Sequence, residues 1–261
     1  MQSQAQTEKK IILVGNPNVG KSVVFNTMTG SYTTVSNYPG TSVEVSRGQC
    51  EIAGEHYQVL DTPGMYSLLP ITEEERVARR ILLEESPHVV VHVIDARNLE
   101  RMLPMTLQLI EAGLPVILLI NIMDEAERVG MHVDIALLQE KLQIPVLGGA
   151  MGRAKRGLSE LRDAIRDFKV SKATFNYATD LEKDIHGISK LMQGDYTLNR
   201  RSLTLMLLQR DEEIAERVKD REGDRYESVE KAVNDTIFDR RVDLHLRISL
   251  ERKRICKGLL D

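Results

Sequence analysis

The chain is poor in the features that mark secreted, membrane-spanning or metal-clustered proteins. Two cysteines, Cys50 and Cys256, in 261 residues exclude a disulfide framework, offer no zinc spacing and fit a reducing compartment. Cys50 reads as a small strand residue and Cys256 as a helix residue. No apolar run approaches the ~18 residues that span a bilayer; the longest, such as Val116–Ile120, are strand-sized. Met1 to Lys10 is polar and lacks the apolar centre of a signal peptide. These absences predict a soluble, cytoplasmic chain. Positive charge is not in excess either. The net charge of -4 argues against nucleic acid as a partner, because such binding needs a basic face. His56, His88, His92, His132, His186 and His245 are dispersed, without the paired helical spacing of a metal motif, so none is assigned to iron or any other ion. Internal repeats and low-complexity tracts are also missing. With 42% hydrophobic and 28% charged residues, the chain can form a packed core as one large domain or a medium domain with an appendage.

Short apolar runs alternate with helical patterns in the first two thirds. Ile11–Val14 ends at Gly15, a buried strand entering a glycine-rich turn, and Val23, Val24, Phe25 and Met28 suit the helix after it. Val43–Arg47 and His56–Leu60 read as an antiparallel pair joined near Ala53-Gly54. Val89–Ile94 and Val116–Ile120 have the continuous apolar character of parallel strands covered on both faces. Met102, Leu103, Leu107, Leu109 and Ile110 supply a helix between them. Pro145–Leu147 reads as a last strand and Gly157–Phe168 as a closing helix. This order predicts an α/β fold, a mainly parallel sheet with helices on both faces, over residues 1–170. Beyond about Lys169 the strand-like runs stop. Leu203, Met206, Leu207, Ile214 and Val218, then Val229, Val233, Ile237, Leu244 and Ile248, recur at helical spacing, so residues 171–261 read as a small all-helical domain. The charged stretch Glu251–Arg254 reads as a solvated helix face.

Three motifs carry chemistry. Gly15-Asn16-Pro17-Asn18-Val19-Gly20-Lys21-Ser22, with Val23 opening the helix, matches the phosphate-binding loop and sits between a predicted strand and helix. Backbone N–H groups of such a loop turn toward phosphates, and Asn16, Pro17, Asn18, Val19 and Gly20 are read as the loop residues that bind the nucleotide. Lys21 neutralises β- and γ-phosphate charge, and Ser22 ligates Mg²⁺. Asp61-Thr62-Pro63-Gly64 follows a strand: Asp61 is placed to hold Mg²⁺ through a water, and the Gly64 N–H to meet a γ-phosphate. Asn121-Ile122-Met123-Asp124 follows Val116–Ile120, beyond the carboxyl end of a strand. A carboxylate at Asp124 can accept from both the ring N–H and the amino group of guanine, donors that adenine does not pair in this way, which selects GTP and GDP. Between the first two motifs, a loop containing Tyr38, Pro39, Gly40, Thr41 and Ser42 reads as a switch in which Thr41 or Ser42 completes the Mg²⁺ shell. Gly149, Ala150 and Met151, after the last strand, stand where a backbone cradle for the base belongs.

With these elements in order, the chain resembles the ferrous iron transport protein B (FeoB) family. The likeness extends to Asn37-Tyr38-Pro39-Gly40, Met65-Tyr66-Ser67-Leu68, Glu73–Ala78, Asp95–Arg101 and Asn121–Glu125. The resemblance implies a P-loop GTPase domain followed by a helical domain, at the cytoplasmic face of the bacterial inner membrane. Its partner would be a membrane-embedded iron-permease domain of the same protein. That domain has no counterpart in these residues, so the chain reads as a piece of a longer protein or as a soluble relative. Relative to the family pattern, Ser42 stands out as the Mg²⁺ ligand with Thr41 as second choice, and Gly149-Ala150-Met151-Gly152 departs from the usual base loop, which predicts weaker GDP retention. Relatives with asparagine at the Asn18 position use it to bind K⁺, so Asn18, Lys21 and Gly64 are the expected catalytic residues. Met65 stands where many signalling GTPases carry a water-orienting glutamine. A soluble GTPase for ribosome assembly or RNA modification and a nucleotide-binding adaptor without turnover are the rival readings; homo-oligomerisation is left open. Lys21→Ala is expected to abolish tight nucleotide binding in equilibrium titration, and wild-type affinity would contradict the loop assignment.

Overall fold

The computed structural model describes residues 8–30, 33–152, 155–171 and 173–260. The polar N-terminus therefore lies mostly outside them. Seven strands form one sheet in the order β2-β3-β4-β1-β5-β6-β7: β1 Lys9–Val14, β2 Thr33–Asn37, β3 Glu44–Ile52, β4 Glu55–Asp61, β5 Val89–Asp95, β6 Val116–Asn121 and β7 Val146–Gly148. β2, β3 and β4 pair antiparallel; β4, β1, β5, β6 and β7 are all parallel. The runs VVVHVID and VILLIN are buried at every residue, because helices cover both faces of the central strands. Ala53 and Gly54 join β3 to β4 with φ of 53° and 83°, the positive pair that a tight hairpin turn requires.

In register, Leu13 lies beside Asp61 and Asp95 beside Asn121. The carboxyl ends of β1, β4, β5 and β6 therefore meet at one edge of the sheet, where open α/β sheets place ligands. Helices α1 Lys21–Thr29, α2 Glu73–Glu84, α3 Leu99–Glu111, α4 Met123–Arg128, α5 Ile135–Leu142 and α6 Leu158–Arg166 connect or cover the strands. After α6 the regular elements among the described residues are all helical, the longer ones being α7 Thr179–Leu191, α8 Arg200–Leu208, α9 Glu212–Glu222, α10 Tyr226–Arg240 and α11 Leu244–Leu260.

The structure departs from the sequence pattern in several places. The pattern leaves β2 within the loops around the first switch; all of its residues are exposed, so no apolar alternation announces it, and it exists through hydrogen bonding to β3. Each of the two helical periodicities spans two helices. The first breaks at Arg210, with φ of 61°, before Asp211 caps α9, and the second breaks at Arg241, with φ of 50°. α7 has no counterpart in the periodicities, although Leu181, Ile185 and Ile188 are its buried stripe.

Finally, Glu251–Arg254 is not wholly solvated. Arg252 is buried, and its Nε donates to Glu111 Oε2 on α3 at 3.3 Å. The Tyr177 hydroxyl donates to the same oxygen at 3.0 Å, and the Arg252 guanidinium also stacks over the Tyr177 ring. Burial raises the Glu111 carboxyl pKa, and the nearby Arg252 charge offsets part of that shift. A paired guanidinium is thus what keeps this carboxylate tolerable between α3 and α11. Arg252→Ala is expected to cost about 3–5 kcal/mol in urea unfolding, with part recovered by adding Glu111→Gln. A single-variant loss below about 1 kcal/mol, the range of exposed pairs, would show that the pair is not effectively buried.

Candidate functional site

The phosphate loop turns out of β1 at Gly15 and re-enters the backbone ladder at α1. Asn18 adopts φ of 65°, a conformation asparagine tolerates better than most residues. Gly20, with φ of 91°, must lack a side chain: a Cβ there would lie 2.5 Å from Asn121 Nδ2. Lys21 is buried, and its Nζ donates to the Asn16 carbonyl at 3.0 Å, inside the loop. Burial lowers its pKa, and the Asp61 carboxylate opposes that shift. The Ser22 hydroxyl donates to Asp61 Oδ2 at 2.7 Å. Asp61 Oδ1 is buried and has no hydrogen-bond partner, and burial pushes the Asp61 carboxyl pKa up despite Ser22 and Lys21. A hydroxyl beside an unsatisfied carboxylate oxygen is a donor set that suits Mg²⁺, whose charge would remove the penalty of burying Asp61.

The segment after Asp61 is tied to the phosphate loop. A Cβ on Gly64 would collide with the Pro17 ring at 2.6 Å, and the Met65 N–H donates to the Gly15 carbonyl at 3.1 Å. Met65 itself is fully buried, so its side chain belongs to the core and not to the nucleotide face. The loop beyond it wraps around buried Glu75, which accepts from the N–H groups of Tyr66 at 3.0 Å and Ile71 at 2.8 Å and completes a capping box with Thr72. Arg79, one turn further along α2, is almost wholly buried. It donates to the Leu68 carbonyl at 3.2 Å, to Asp211 and, at 2.6 Å, to Glu213, the last two being at the start of α9. Thr72-x-x-Glu75 has the spacing of a cap signature. Nothing local marks Arg79, because both of its carboxylate partners lie far along the chain.

On the base side, buried Asn121 acts as a bracket. Its Nδ2 donates to the Val19 carbonyl at 3.0 Å and its Oδ1 accepts from the Met151 N–H at 3.1 Å. Ile122 follows with φ of 63°, a left-handed conformation that is strained for a β-branched residue. That turn brings Asp124 to a cleft of about 260 Å³ lined by Asn18, Gly20, Val23, Asp124, Ala150 and Met151 among others. The motifs place both Met123 and Gly149 against the nucleotide, and backbone hydrogen bonds tie the two to each other and to β6. Met123 is buried and donates its N–H to the Gly149 carbonyl at 3.0 Å, while the Gly149 N–H donates to Ile120. Gly152 also lines the cleft. Arg97, inside the Asp95–Arg101 stretch but given no role by the motifs, forks onto buried Asp95 at 2.8 and 3.0 Å and reaches Glu125, so it ties the end of β5 to the helix that carries Asp124.

The Tyr38–Ser42 loop before β3 is a closed turn. The Tyr38 N–H donates to the Val43 carbonyl at 2.8 Å, and the Thr41 hydroxyl donates to the Tyr38 carbonyl at 2.9 Å. Pro39, Gly40 and Ser42 are exposed. The Tyr38 hydroxyl donates to Glu84 at 2.7 Å, and Arg217 of α9 donates to the same carboxylate at 2.8 Å.

The sequence profile for ferrous iron transport protein B matches residues 9–165, and that for the FeoB cytosolic helical domain matches residues 177–261. The chain belongs to the ferrous iron transport protein B family. It is 36% identical over 206 residues to the Fe(2+) transporter FeoB of Escherichia coli K12, covering 76% of this chain and 26% of that protein. It is 35% identical over 216 residues to an Fe(2+) transport protein A/Fe(2+) transporter FeoB fusion protein of Porphyromonas gingivalis, covering 78% of this chain and 26% of that protein. The chain thus spans about a quarter of the length of the curated relatives it matches. Among solved structures, it resembles the T. maritima FeoB cytosolic domain in a GDP form, with a TM-score of 0.83 and 28% identity over 97% of this chain and 96% of that one. A GDP-bound point mutant of the S. thermophilus FeoB G-domain gives a TM-score of 0.86 at 28% identity, over 96% of this chain and 97% of that one. The P-loop GTPase fold followed by helices is therefore the FeoB arrangement. For this FeoB chain, Asp124→Asn is expected to reduce the preference for GTP over ITP by about tenfold, because the amino group of guanine loses its charged acceptor. Competition binding measures it, and an unchanged preference would remove Asp124 from base recognition.

Proposed function

We propose that this chain binds and hydrolyses GTP as the regulatory part of a bacterial ferrous iron transporter, with residues 1–170 as the GTPase unit and 171–261 as the helical unit. The observation that carries the reading is the Asn121 bracket, which holds the phosphate loop and the base loop on either side of one cleft. Lys21 binds the β- and γ-phosphates, the Gly64 N–H meets the γ-phosphate, and Asp124 reads guanine. Ser22 and Asp61 would hold Mg²⁺, with Ser42 or Thr41 joining them when the switch loop closes. Bound Mg²⁺ neutralises charge on the phosphate oxygens.

Since Met65 is packed in the core, no side chain directly after Gly64 orients water. Turnover then rests on positioning and on positive charge, with Asn18 lining the cleft as the residue that would hold K⁺. Exchange of GTP for GDP would be reported through two connections to the helical unit: the second switch through Glu75 and Arg79 to Asp211 and Glu213, and the first through Tyr38 and Glu84 to Arg217. Iron is the cargo of this proposed assembly. Among the described residues no group of three or more His, Cys, Asp or Glu side chains is arranged to hold a metal ion, so the transport path is assigned to a membrane partner domain.

K⁺ is expected to stimulate steady-state GTP hydrolysis relative to Na⁺, and Asn18→Ala to remove the difference while leaving GDP affinity within a few-fold. Equal turnover of the wild-type chain in the two salts would sink the K⁺ assignment; absence of any turnover would sink hydrolysis itself.

A further inference from the structure

α11 is a 17-residue helix whose two sides have different tasks. Leu244, Ile248, Arg252, Cys256 and Leu259 face inward and are buried. On the opposite side, Leu246 and Leu250 are 55% and 54% exposed. One to two turns further on, Lys253, Arg254 and Lys257 are exposed along the same side, since these spacings return to one helix face. Phe238 and Val242, just before the helix in the chain, are 75% and 49% exposed. The chain as a whole is acidic, at -4, yet α11 carries five Lys or Arg and one carboxylate, Glu251. Arg247 and Arg252 are committed inward, to Asp180 and Glu111. The outward cations are left to solvent, apart from a 3.9 Å approach of Arg254 to Glu251. At Lys253 the face runs into a groove of about 600 Å³, where Arg97, Arg101, Met131 and Leu260 continue the mixture of cation and apolar surface beside one carboxylate, Glu100.

We infer that this outward face of α11 docks on an anionic lipid surface. The occupant follows from the charge and from the shape. A straight ridge of leucines continued by lysines, whose aliphatic stems lie flat while their ammonium groups reach outward, matches a plane that is apolar below and anionic at the headgroups. A second copy of the chain fits less well. Packing this face against itself would bury Lys253, Arg254 and Lys257 against leucines and against one another, and its one carboxylate, Glu251, already lies toward Arg247. No helix among the described residues is long and apolar enough to cross a membrane, so the contact lies on the surface and does not span it. The inference is independent of nucleotide turnover, because none of these residues belongs to the nucleotide cleft.

Flotation of the 261-residue chain with vesicles tests it. Binding is expected to vesicles of phosphatidylcholine mixed with phosphatidylglycerol, not to phosphatidylcholine alone, and to be lost near 1 M salt, where the Debye length is about 3 Å. Each surface cation strengthens such binding about fivefold, so Lys253→Glu with Lys257→Glu should weaken it at least roughly 25-fold. Leu246→Glu with Leu250→Glu should abolish it. Unchanged guanine-nucleotide affinity in both double variants confirms that they are folded. Equal partition to the two vesicle types, absence of binding to either, or variants that float like wild type would each overturn the inference. So would concentration-dependent self-association in sedimentation that Leu246→Glu with Leu250→Glu removes, which would give the face to a second copy.

Discussion

The Asn121 carboxamide is the contact on which the nucleotide side of the molecule depends. It is buried at the end of β6 and uses both of its ends, one on the Val19 carbonyl and one on the Met151 N–H. An amide that loses a buried partner pays the desolvation of the group left behind, so the two loops are held at a set distance with little tolerance. Several local oddities serve this arrangement. Gly20 must be glycine because Asn121 Nδ2 occupies the space of a side chain, and Ile122 accepts a strained φ so that the chain can turn from the bracket to Asp124. The residue type that the motif presents as a nucleotide contact is, in the fold, first a brace between loops.

The helical region is joined to the GTPase fold through buried charge. Arg79 links the Leu68 carbonyl to Asp211 and Glu213, and Glu111 receives Arg252 and Tyr177. Such groups contribute modestly to net stability, since desolvation offsets most of the attraction, but losing one partner is costly. They therefore restrict how the two regions can be arranged, and a displacement of the Tyr66–Thr72 loop cannot leave Arg79 and its partners untouched. In this way the Tyr66–Thr72 loop is connected through Arg79 to the start of α9.

Much of the sheet is legible because its signals are local. Ile11–Val14, Val89–Ile94 and Val116–Ile120 are apolar runs bounded by turn residues, and Ala53-Gly54 announces its hairpin. β2 is not legible, since an exposed edge strand without apolar alternation looks like loop until its partner is placed beside it. The helix breaks at Arg210 and Arg241 are hidden because non-glycine residues adopt the left-handed conformation there, where a glycine would have announced the stop. Arg252 sits in a stretch that looks like a solvated charged face, and it is buried against a glutamate 141 positions away.

The sequence by itself determined the class of chemistry. The motifs proposed to bind phosphate, base and Mg²⁺ are short, with a spacing set by a strand, a turn and a helix start, and such motifs are read without knowing the fold. Packing between distant segments set how the motifs are held, with Asn121 tying Val19 to Met151 across the cleft. It also decided the charge partners that bind the helices to the GTPase fold. The physical reason is range: backbone conformation and apolar periodicity act over a few residues, whereas the pairing of buried charges depends on desolvation, which exists only once distant segments have packed together.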